Sequence, residues 1–397
     1  MSSSSGRHFL QIPGPTNTPL SILAAVAKPT IDHRSPEFAA LGLDVLKRIR
    51  SVFKTEAPVI IYPTSGTGAW EAALVNTLSP GDRVLMFETG WFSTLWSKMA
   101  TALGLRAEIV PGDWRSGVRA EQIAEKLLAD KELRYKAVAV VHNETSTGVA
   151  SNIEAVRRAI DAAKHPALLL ADTISSLGSI DYRHDEWGVD VTVCGLQKGL
   201  MLPPGLAFNA VSAKALEASK TARLARSFLS WDDMLASNAQ GFFPYTPSTN
   251  LLQGLKVALD LIEAEGLANI FARHDRAALA TRRAVQRWGF EIQCRNEPEY
   301  SSSLTAVRLP QGHSADALRR QILQDANLSL GNGLGPLADR VFRIGHLGDF
   351  SGASVLGTLA AIEMGLRTQA VPFGDGAIEA AIEVLSDRRM TMAEAAE

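Results

Sequence analysis

Short apolar runs alternate with helical patterns between residues 58 and 221, and this alternation restricts the fold more than any other feature. Most of the runs are continuously hydrophobic, as expected of strands covered on both faces of a sheet. Helix candidates such as residues 68–78 and 151–164 lie between them. The alternation predicts an α/β domain with a mainly parallel seven-stranded sheet. The predicted strands are PVIIY (58–62), RVLMF (83–87), RAEIV (106–110), KAVAVV (136–141), ALLLAD (167–172), DVTVC (190–194) and LAFNAV (206–211).

The pattern changes after residue 250. Long helical stretches cover roughly residues 250–288, and shorter strand candidates follow in FEIQC, LTAVRL and VFRIG. We therefore expect a smaller C-terminal α+β domain. No linker rich in Pro, Gly or Ser marks the boundary, and we predict an N-terminal arm (1–20), a large domain (21–270) and a small domain (271–397).

Charge and composition argue against several classes of protein. The chain of 397 residues has 40 basic and 42 acidic side chains, which gives no electrostatic case for binding nucleic acid or an anionic membrane. Cys194 and Cys294 form no CxxC pair and the histidines lack metal-ligand spacing, so we expect neither a disulfide framework nor a metal site. No apolar run is long enough to span a bilayer, and the start MSSSSGRHFLQIPGP does not resemble a signal peptide. We expect a soluble cytoplasmic protein.

Lys198 lies in surroundings that disfavour a charged side chain. It follows the predicted strand DVTVC, precedes the stretch LMLPP, and has its nearest acidic neighbour in sequence at Asp190. Such a lysine can lay its stem on apolar surface and keep its charge in water. Alternatively, a partly desolvated amine loses its proton easily and can attack a carbonyl group.

Two further segments are compatible with a phosphate-bearing cofactor. YPTSGTGAWEAAL (62–74) joins a strand to a helix through small residues, and a helix start can bind phosphate. It lacks the Walker and GxGxxG fingerprints and equally fits a plain turn capped by Thr67. ALLLADTISSLGS (167–179) ends a strand in Asp172, which equally fits a helix cap. Because strand ends in an open α/β sheet line a ligand crevice, we expect Asp172 and Lys198 to lie near each other.

Together these features predict pyridoxal phosphate as the cofactor. That cofactor requires a lysine for its aldehyde, a carboxylate for its ring nitrogen and a phosphate site. Phe92, preferred over Trp91, could stack on the ring, although either aromatic residue also fits a core position. Arg343 has the fork geometry that suits a substrate carboxylate, although a lone arginine is more often a surface charge.

The chain resembles the class V pyridoxal-phosphate aminotransferases (fold type I), and within them the alanine/serine–glyoxylate group. The resemblance runs nearly end to end. The DHRSPEF, SGTGAWE, HNETSTG and GFFPYTP segments are most similar to those of bacterial serine–glyoxylate aminotransferases. The motifs are PGPTNTP (13–19), DHRSPEF (32–38), SGTGAWEAALVNTLSPGD (65–82), HNETSTG (142–148), DTISSLGS (172–179), QKGLMLPPG (197–205), GFFPYTP (241–247) and FRIGHLGD (342–349).

The resemblance implies roles for individual residues. Lys198 would form the imine with the cofactor, Asp172 would pair with the ring nitrogen, Phe92 would stack on the ring and Arg343 would bind the substrate carboxylate. Family members form homodimers with shared active sites, so this chain is expected to be a homodimer or a higher oligomer. Phe243 replaces a phosphate-contacting tyrosine of the alanine–glyoxylate branch, which affects one phosphate hydrogen bond. The other implied contacts are Thr67, Gly68, Ala69 and Gln197 at the phosphate, Thr145 and Ile174 at the cofactor, and Thr246 at the phosphate of the neighbouring subunit.

We expect a ping-pong transamination that moves the amino group of a small L-amino acid, first of all L-serine, to glyoxylate. Alanine and aspartate are alternative donors. A lyase or desulfurase of the same cofactor class is less well supported, because Cys194 lies in a strand and Cys294 in the small domain rather than on a mobile loop. The set of Lys198, Asp172 and Arg343 argues against a mere phosphate-binding protein, and the late α+β region argues against a barrel aldolase.

Overall fold

The computed structural model describes residues 8–387. The helices are α1 (Leu20–Val26), α2 (Pro36–Phe53), α3 (Gly66–Thr77), α4 (Trp91–Ala102), α5 (Ala120–Ala129), α6 (Ile153–Ala162), α7 (Ala213–Ser219), α8 (Trp231–Asn238), α9 (Thr249–Glu265), α10 (Leu267–Arg287), α11 (Ala315–Ala326), α12 (Gly352–Thr368) and α13 (Ala377–Ser386). The strands are β1 (Phe9–Gln11), β2 (Val59–Tyr62), β3 (Arg83–Phe87), β4 (Arg106–Val110), β5 (Tyr135–Val141), β6 (Asn143–Glu144), β7 (Val149–Ala150), β8 (Leu168–Asp172), β9 (Val191–Gly195), β10 (Ala207–Val211), β11 (Glu291–Ile292), β12 (Leu304–Arg308), β13 (Leu328–Asn332) and β14 (Val341–Gly345).

Seven strands form the large sheet, in the order β2-β10-β9-β8-β5-β3-β4. β10 runs antiparallel to both of its neighbours, and the other neighbouring pairs run parallel. Every residue of β8 and β9 is buried, which explains why their sequences are continuously apolar. The predicted α/β fold with a mainly parallel seven-stranded sheet is confirmed, and each predicted strand agrees to within one residue at either end.

The parallel pairing of β8 and β9 brings the two predicted chemical groups to the same edge of the sheet. Asp172 is the last residue of β8 and lies opposite Val193 of β9. Lys198 follows β9 by three residues. We call this side of the large sheet the strand-end edge. Because parallel strands end on the same side, the edge collects side chains that are far apart in sequence.

A five-stranded sheet with the order β1-β13-β14-β12-β11 forms the centre of the small α+β domain, as expected. β1 comes from the N-terminal arm and pairs in parallel with β13, a strand that the sequence analysis did not find. The buried residues of one hydrophobic core end at Ile270 in the sequence. The core of the small domain consists of residues from Ala277 onward, with Val149 as the exception. The segment boundaries at residues 20 and 270 stay predictions.

Helices cover the large sheet in two different ways. α2 has one apolar face and begins after Ser35, whose hydroxyl accepts a hydrogen bond from the Phe38 amide. α3 is buried around most of its circumference and packs on β9, β10 and α4. Between residues 8 and 387, no helix combines the length and the hydropathy needed to cross a bilayer.

Candidate active site

A cavity of about 200 Å³ opens at the strand-end edge. It brings together most of the site residues predicted from the sequence, together with residues that the sequence analysis did not single out. The predicted ones are Thr67, Phe92, Thr145, Asp172, Ile174, Gln197 and Lys198; the others are Gly14, Pro15, Ser65, Gly66 and Trp70.

Lys198 is buried, with 8% of its surface exposed. Its Nζ donates a hydrogen bond to the carbonyl oxygen of Pro13 in the N-terminal arm. Burial, assisted by the charge of Arg343, lowers the pKa of Lys198 from 10.5 to about 7, and the attraction of Asp172 opposes this change. A large fraction of the amine is therefore unprotonated near neutral pH, as a nucleophile or a general base requires.

The N-terminal arm closes one side of the cavity around Lys198. Thr16 holds the arm in place, because its amide donates to the carbonyl oxygen of Gln197 and its hydroxyl to that of Lys198, each at 3.2 Å. Gly14 has a φ of +100°, and a Cβ atom at this position would lie 2.3 Å from Cδ of Lys198. Both observations explain why a glycine occupies position 14.

Asp172 is 3% exposed and receives one hydrogen bond on each carboxylate oxygen. The Ile174 amide donates to Oδ1 at 2.7 Å, and the indole Nε1 of Trp70 donates to Oδ2 at 3.0 Å. Burial raises the pKa of Asp172 from 3.8 to about 7, although these two hydrogen bonds oppose the rise. The hydrogen bond from Ile174 lies in the turn that follows β8. Asp172 therefore caps this turn through one bond, and this is what corresponds to the alternative role as a helix cap.

The start of α3 forms the wall of the cavity beside Ile174. α3 begins at Gly66 with Ser65 as its N-cap residue, so Thr67 lies within the first turn and is not the cap. A Cβ atom on Gly66 would lie 2.3 Å from Cδ1 of Ile174, so a glycine is needed for this close packing. Nearby, the buried Oε1 of Gln197 has no hydrogen-bond partner among residues 8–387.

Gly68 and Ala69 are not among the described residues that line the cavity, although Trp70, one position further along α3, is. A Cβ atom on Gly68 would meet the side chain of Thr64, and Ala69 is fully buried. The carbonyl oxygen of Ala69 accepts a hydrogen bond from the Asn209 side chain. The expected role of Gly68 and Ala69 at the phosphate stays a prediction.

The segment of residues 142–148 supports the aromatic side of the cavity. Phe92 lies in the first turn of α4, and its ring centroid is 6.4 Å from that of Trp70. The buried carboxylate of Glu144 accepts hydrogen bonds from the amides of Phe92 and Ser93 at the start of this helix. Thr145 lines the cavity and donates its hydroxyl hydrogen to Oγ of Ser175 at 2.7 Å.

Arg343 reaches the site from β14 of the small domain. Its Nη1 donates to the carbonyl oxygen of Thr145 and its Nε to that of Asn332, each at 2.8 Å. The side chain lines a second cavity of about 290 Å³, and Gly14 lies in the walls of both cavities. Arg343 is 7% exposed, which excludes a surface arginine, and burial lowers its pKa to about 10, so it stays charged at neutral pH.

Thr246 lies apart from the cavity of its own chain. It is exposed in the loop between α8 and α9, and Phe243 in the same loop packs against Phe38 at 6.1 Å. His142, for which the sequence analysis found no role, contacts Ser176 through Nδ1 at 2.9 Å, and burial lowers its pKa to about 4. Neither Thr246 nor His142 is among the described residues that line the cavity.

The donor set of the cavity fits pyridoxal phosphate. Lys198 offers a buried amine of low pKa, and Asp172 offers a carboxylate in the lining of the same cavity. The start of α3 presents backbone N–H groups, and the unpartnered Gln197 Oε1 is a buried polar atom that a bound ligand can satisfy. Phe92 supplies an aromatic ring in the cavity wall.

Comparison with known proteins gives a consistent assignment. The family model for aminotransferase class V matches residues 13–335. The chain is 49% identical over 366 residues to the serine–glyoxylate aminotransferase of Hyphomicrobium methylovorum, covering 91% of this chain and 90% of that protein. It is 48% identical to the L-aspartate–glyoxylate aminotransferase of Paracoccus denitrificans, covering 94% of each. The crystal structure of an alanine–glyoxylate aminotransferase from Nostoc superposes with a TM-score of 0.85 at 31% identity, covering 92% of this chain and 97% of that chain.

The chain belongs to the class V aminotransferases. It is therefore a transaminase, and its family fold implies dependence on pyridoxal phosphate.

Proposed function

We propose that this transaminase transfers the amino group of L-serine to glyoxylate and forms hydroxypyruvate and glycine in a ping-pong reaction. The observation that carries the proposal is the buried pair of Lys198 and Asp172 at one cavity, with Arg343 one contact away through Thr145. The serine donor is supported by the name of the Hyphomicrobium relative. L-aspartate is the second candidate donor, because the Paracoccus relative has almost the same identity, and L-alanine is the third.

Pyridoxal phosphate, when bound, supplies an aldehyde and a ring that withdraws electrons from the substrate Cα. We assign Lys198 to the aldehyde and Asp172 to the ring nitrogen, with Phe92, Thr145 and Ile174 around the ring. The phosphate is assigned to Ser65, Gly66, Thr67 and Gln197, which line the cavity, together with Gly68 and Ala69, which the family resemblance adds.

The reaction assigns Lys198 the role of general base and acid. Its pKa near 7 allows the amine to take the proton from the substrate Cα and to return a proton in the opposite half-reaction. The hydrogen bonds from Ile174 and Trp70 favour the charged form of Asp172 and so oppose the effect of its burial. Arg343 binds the carboxylate of the amino acid, and also that of glyoxylate, through a bidentate pair.

A panel of amino acids tests the donor. Each of L-serine, L-aspartate and L-alanine is mixed with the holoenzyme, the cofactor absorbance is followed, and glycine formation is measured after glyoxylate is added. We expect L-serine to give the highest kcat/KM, with Lys198→Ala as the inactive control. A higher kcat/KM for aspartate or alanine would reassign the donor, and no glycine from any of the three would overturn the proposal.

We further propose a homodimer in which Thr246 reaches the phosphate site of the partner chain. The proposal is supported by the family resemblance and by the exposed position of Thr246 away from its own cavity. Mixing Lys198→Ala chains with Thr246→Glu chains tests it, because a shared site would restore activity at roughly a quarter of the sites. Mixtures that stay inactive would place Thr246 outside the partner's site. A cytoplasmic location stays a prediction.

A further inference from the structure

Trp70 lies near the start of α3 and contacts the carboxylate of Asp172. It is 2% exposed, and it lines the cavity together with Asp172. Its indole Nε1 donates to Oδ2 of Asp172 at 3.0 Å, while the Ile174 amide donates to Oδ1. Each carboxylate oxygen thus has its own donor, and the two donors come from different segments of the chain.

We infer that Trp70 is a positioning residue for Asp172, whose carboxylate it keeps in one orientation and in the charged form. The inference rests on the proposed function in one respect, namely that Asp172 faces the ring nitrogen of the cofactor. A single donor at Oδ1 would leave the carboxylate free to rotate about its last bond. A second donor at Oδ2 fixes the plane, and hydrogen bonds to a charged acceptor are stronger than those to a neutral one.

The surroundings of Trp70 make its indole a rigid donor. Its ring stacks on Trp96 with centroids 5.8 Å apart and an interplanar angle of 14°, and Phe92 packs against it at 6.4 Å. The N–H group therefore has little freedom to leave Asp172.

The charge of Asp172 is set by competing influences. Burial is the largest and raises its pKa, and the nearby Glu144 acts in the same direction. The hydrogen bonds from Ile174 and Trp70 and the charge of Lys198 lower the pKa. Cys194 on the neighbouring strand stays a neutral thiol, because burial raises its own pKa. Loss of the Trp70 donor is therefore expected to move the titration of Asp172 upward.

Trp96 provides a matched control for Trp70. It is fully buried and stacked on the same ring, but its Nε1 has no hydrogen-bond partner within the described part of the chain. Replacing either tryptophan by phenylalanine removes the same atoms from the same aromatic stack. Only the replacement of Trp70 removes a donor to Asp172.

The first experiment uses the cofactor-free protein labelled with carboxyl-¹³C aspartate. The Asp172 signal is identified by its absence in Asp172→Asn and is followed by NMR as a function of pH. We expect Trp70→Phe to raise the pKa of Asp172 by about one to two pH units, as the loss of a charged hydrogen bond implies. Trp96→Phe should leave it within about 0.3 units. Equal shifts in the two variants, or no shift in Trp70→Phe, would overturn the inference.

A second measurement does not depend on whether a tryptophan variant folds, because it compares only the wild type with Asp172→Asn. The chain has 7 tryptophans, so an apoprotein labelled with ¹⁵N-tryptophan gives a small set of indole N–H signals. We expect one of them to titrate near pH 7 in the wild-type protein and to lose this titration in Asp172→Asn. If no indole signal follows Asp172, Trp70 does not position it.

Activity gives a third and separate readout. In the holoenzyme, Trp70→Phe should lower kcat about tenfold at pH 7 with little change in KM, and the loss should shrink as the pH rises and Asp172 regains its charge. The measurements on apoprotein do not depend on the amino donor. An active Lys198→Ala would overturn the proposed function, and it would leave the role of Trp70 toward Asp172 unaffected.

Discussion

Charged groups at the two ends of the large sheet behave in opposite ways. Near the starts of β3 and β5, the carboxylate of Glu108 accepts hydrogen bonds from Tyr135 at 2.5 Å, Arg83 at 2.7 Å and Lys126 at 2.9 Å. We call these four residues the ion cluster. The bond from Tyr135 is the largest influence that lowers the pKa of Glu108, and together with the two cations it brings the pKa from 4.5 to about 2.

At the strand-end edge, burial outweighs the neighbours. The pKa of Asp172 rises to about 7 and that of Lys198 falls to about 7, and in each case desolvation is the largest cause. The comparison shows that the balance between burial and neighbouring donors and cations decides whether a carboxylate on this sheet is fixed in its charged form. The ion cluster fixes one protonation state, whereas the strand-end edge holds an amine, that of Lys198, that can change its protonation state during turnover.

The largest expected effect is that of removing the lysine at the strand-end edge. Lys198→Ala removes the only amine in the cavity lining that the structure describes, and we expect transamination to fall by at least about 10⁴-fold. Lys126→Ala in the ion cluster serves as the control and should keep nearly full activity. Steady-state rates of both variants measure the contrast, and substantial turnover by Lys198→Ala would remove the distinction between the two ends.

The pH dependence of the free energy of unfolding of Asp172→Asn tests whether burial controls the titration at the strand-end edge. The folded apoprotein has an Asp172 pKa of about 7 against an ordinary value of 3.8, so the contribution of this group is fully present below about pH 4 and is lost as the pH rises through about 7. We expect the free energy of unfolding of Asp172→Asn, relative to that of the wild type, to rise by about 4 kcal/mol at most over this window. Urea unfolding of apoprotein from pH 4 to 8 measures the difference. A constant difference would show that Asp172 titrates normally.

Arg343→Lys addresses the substrate side of the same edge. The lysine keeps a positive charge but lacks the planar fork, and we expect kcat/KM for the amino acid and for glyoxylate to fall by about 10²-fold. Cofactor absorbance should change little. Arg83→Lys in the ion cluster provides the matched replacement and should leave both kinetic constants unchanged. Unaltered kinetics in Arg343→Lys would move the carboxylate site elsewhere.

The smallest expected effect concerns Glu108→Gln. The pKa of Glu108 is lowered, so its contribution to stability is present above about pH 4.5 and is lost as the pH falls toward 2. Because Glu108 is 31% exposed, the loss at pH 7 should be under about 1 kcal/mol. The relative stability of this variant therefore falls as the pH rises, which is the opposite trend to that of Asp172→Asn. A stabilising Glu108→Gln in urea unfolding would contradict the comparison.

The strands and the strand-end pair could be predicted because their signals are local. Continuous apolar runs mark buried strands, and Asp172 and Lys198 lie at or just beyond the ends of such runs. β13 was not found, because LSLGN is a short and weakly patterned segment.

Other parts of the site depend on contacts that leave no local pattern. The contact between Lys198 and Pro13 joins segments 185 positions apart. Trp70 has the spacing of a core residue on α3, and its hydrogen bond to Asp172 spans 102 positions. The exact start of α3 was missed because SGTG is a run of small residues with several possible capping positions, and the helix begins at Gly66 rather than at residue 68.

The two backbone contacts of Arg343 have a consequence for the entropy of substrate binding. With Nε held by Asn332 and Nη1 by Thr145, the side chain is already confined to one rotamer in the folded protein. An unrestrained arginine carries about 2 kcal/mol of rotamer entropy, which a bound carboxylate would otherwise have to remove. The preset fork can therefore bind a carboxylate up to about thirtyfold more tightly than a mobile arginine making the same contacts.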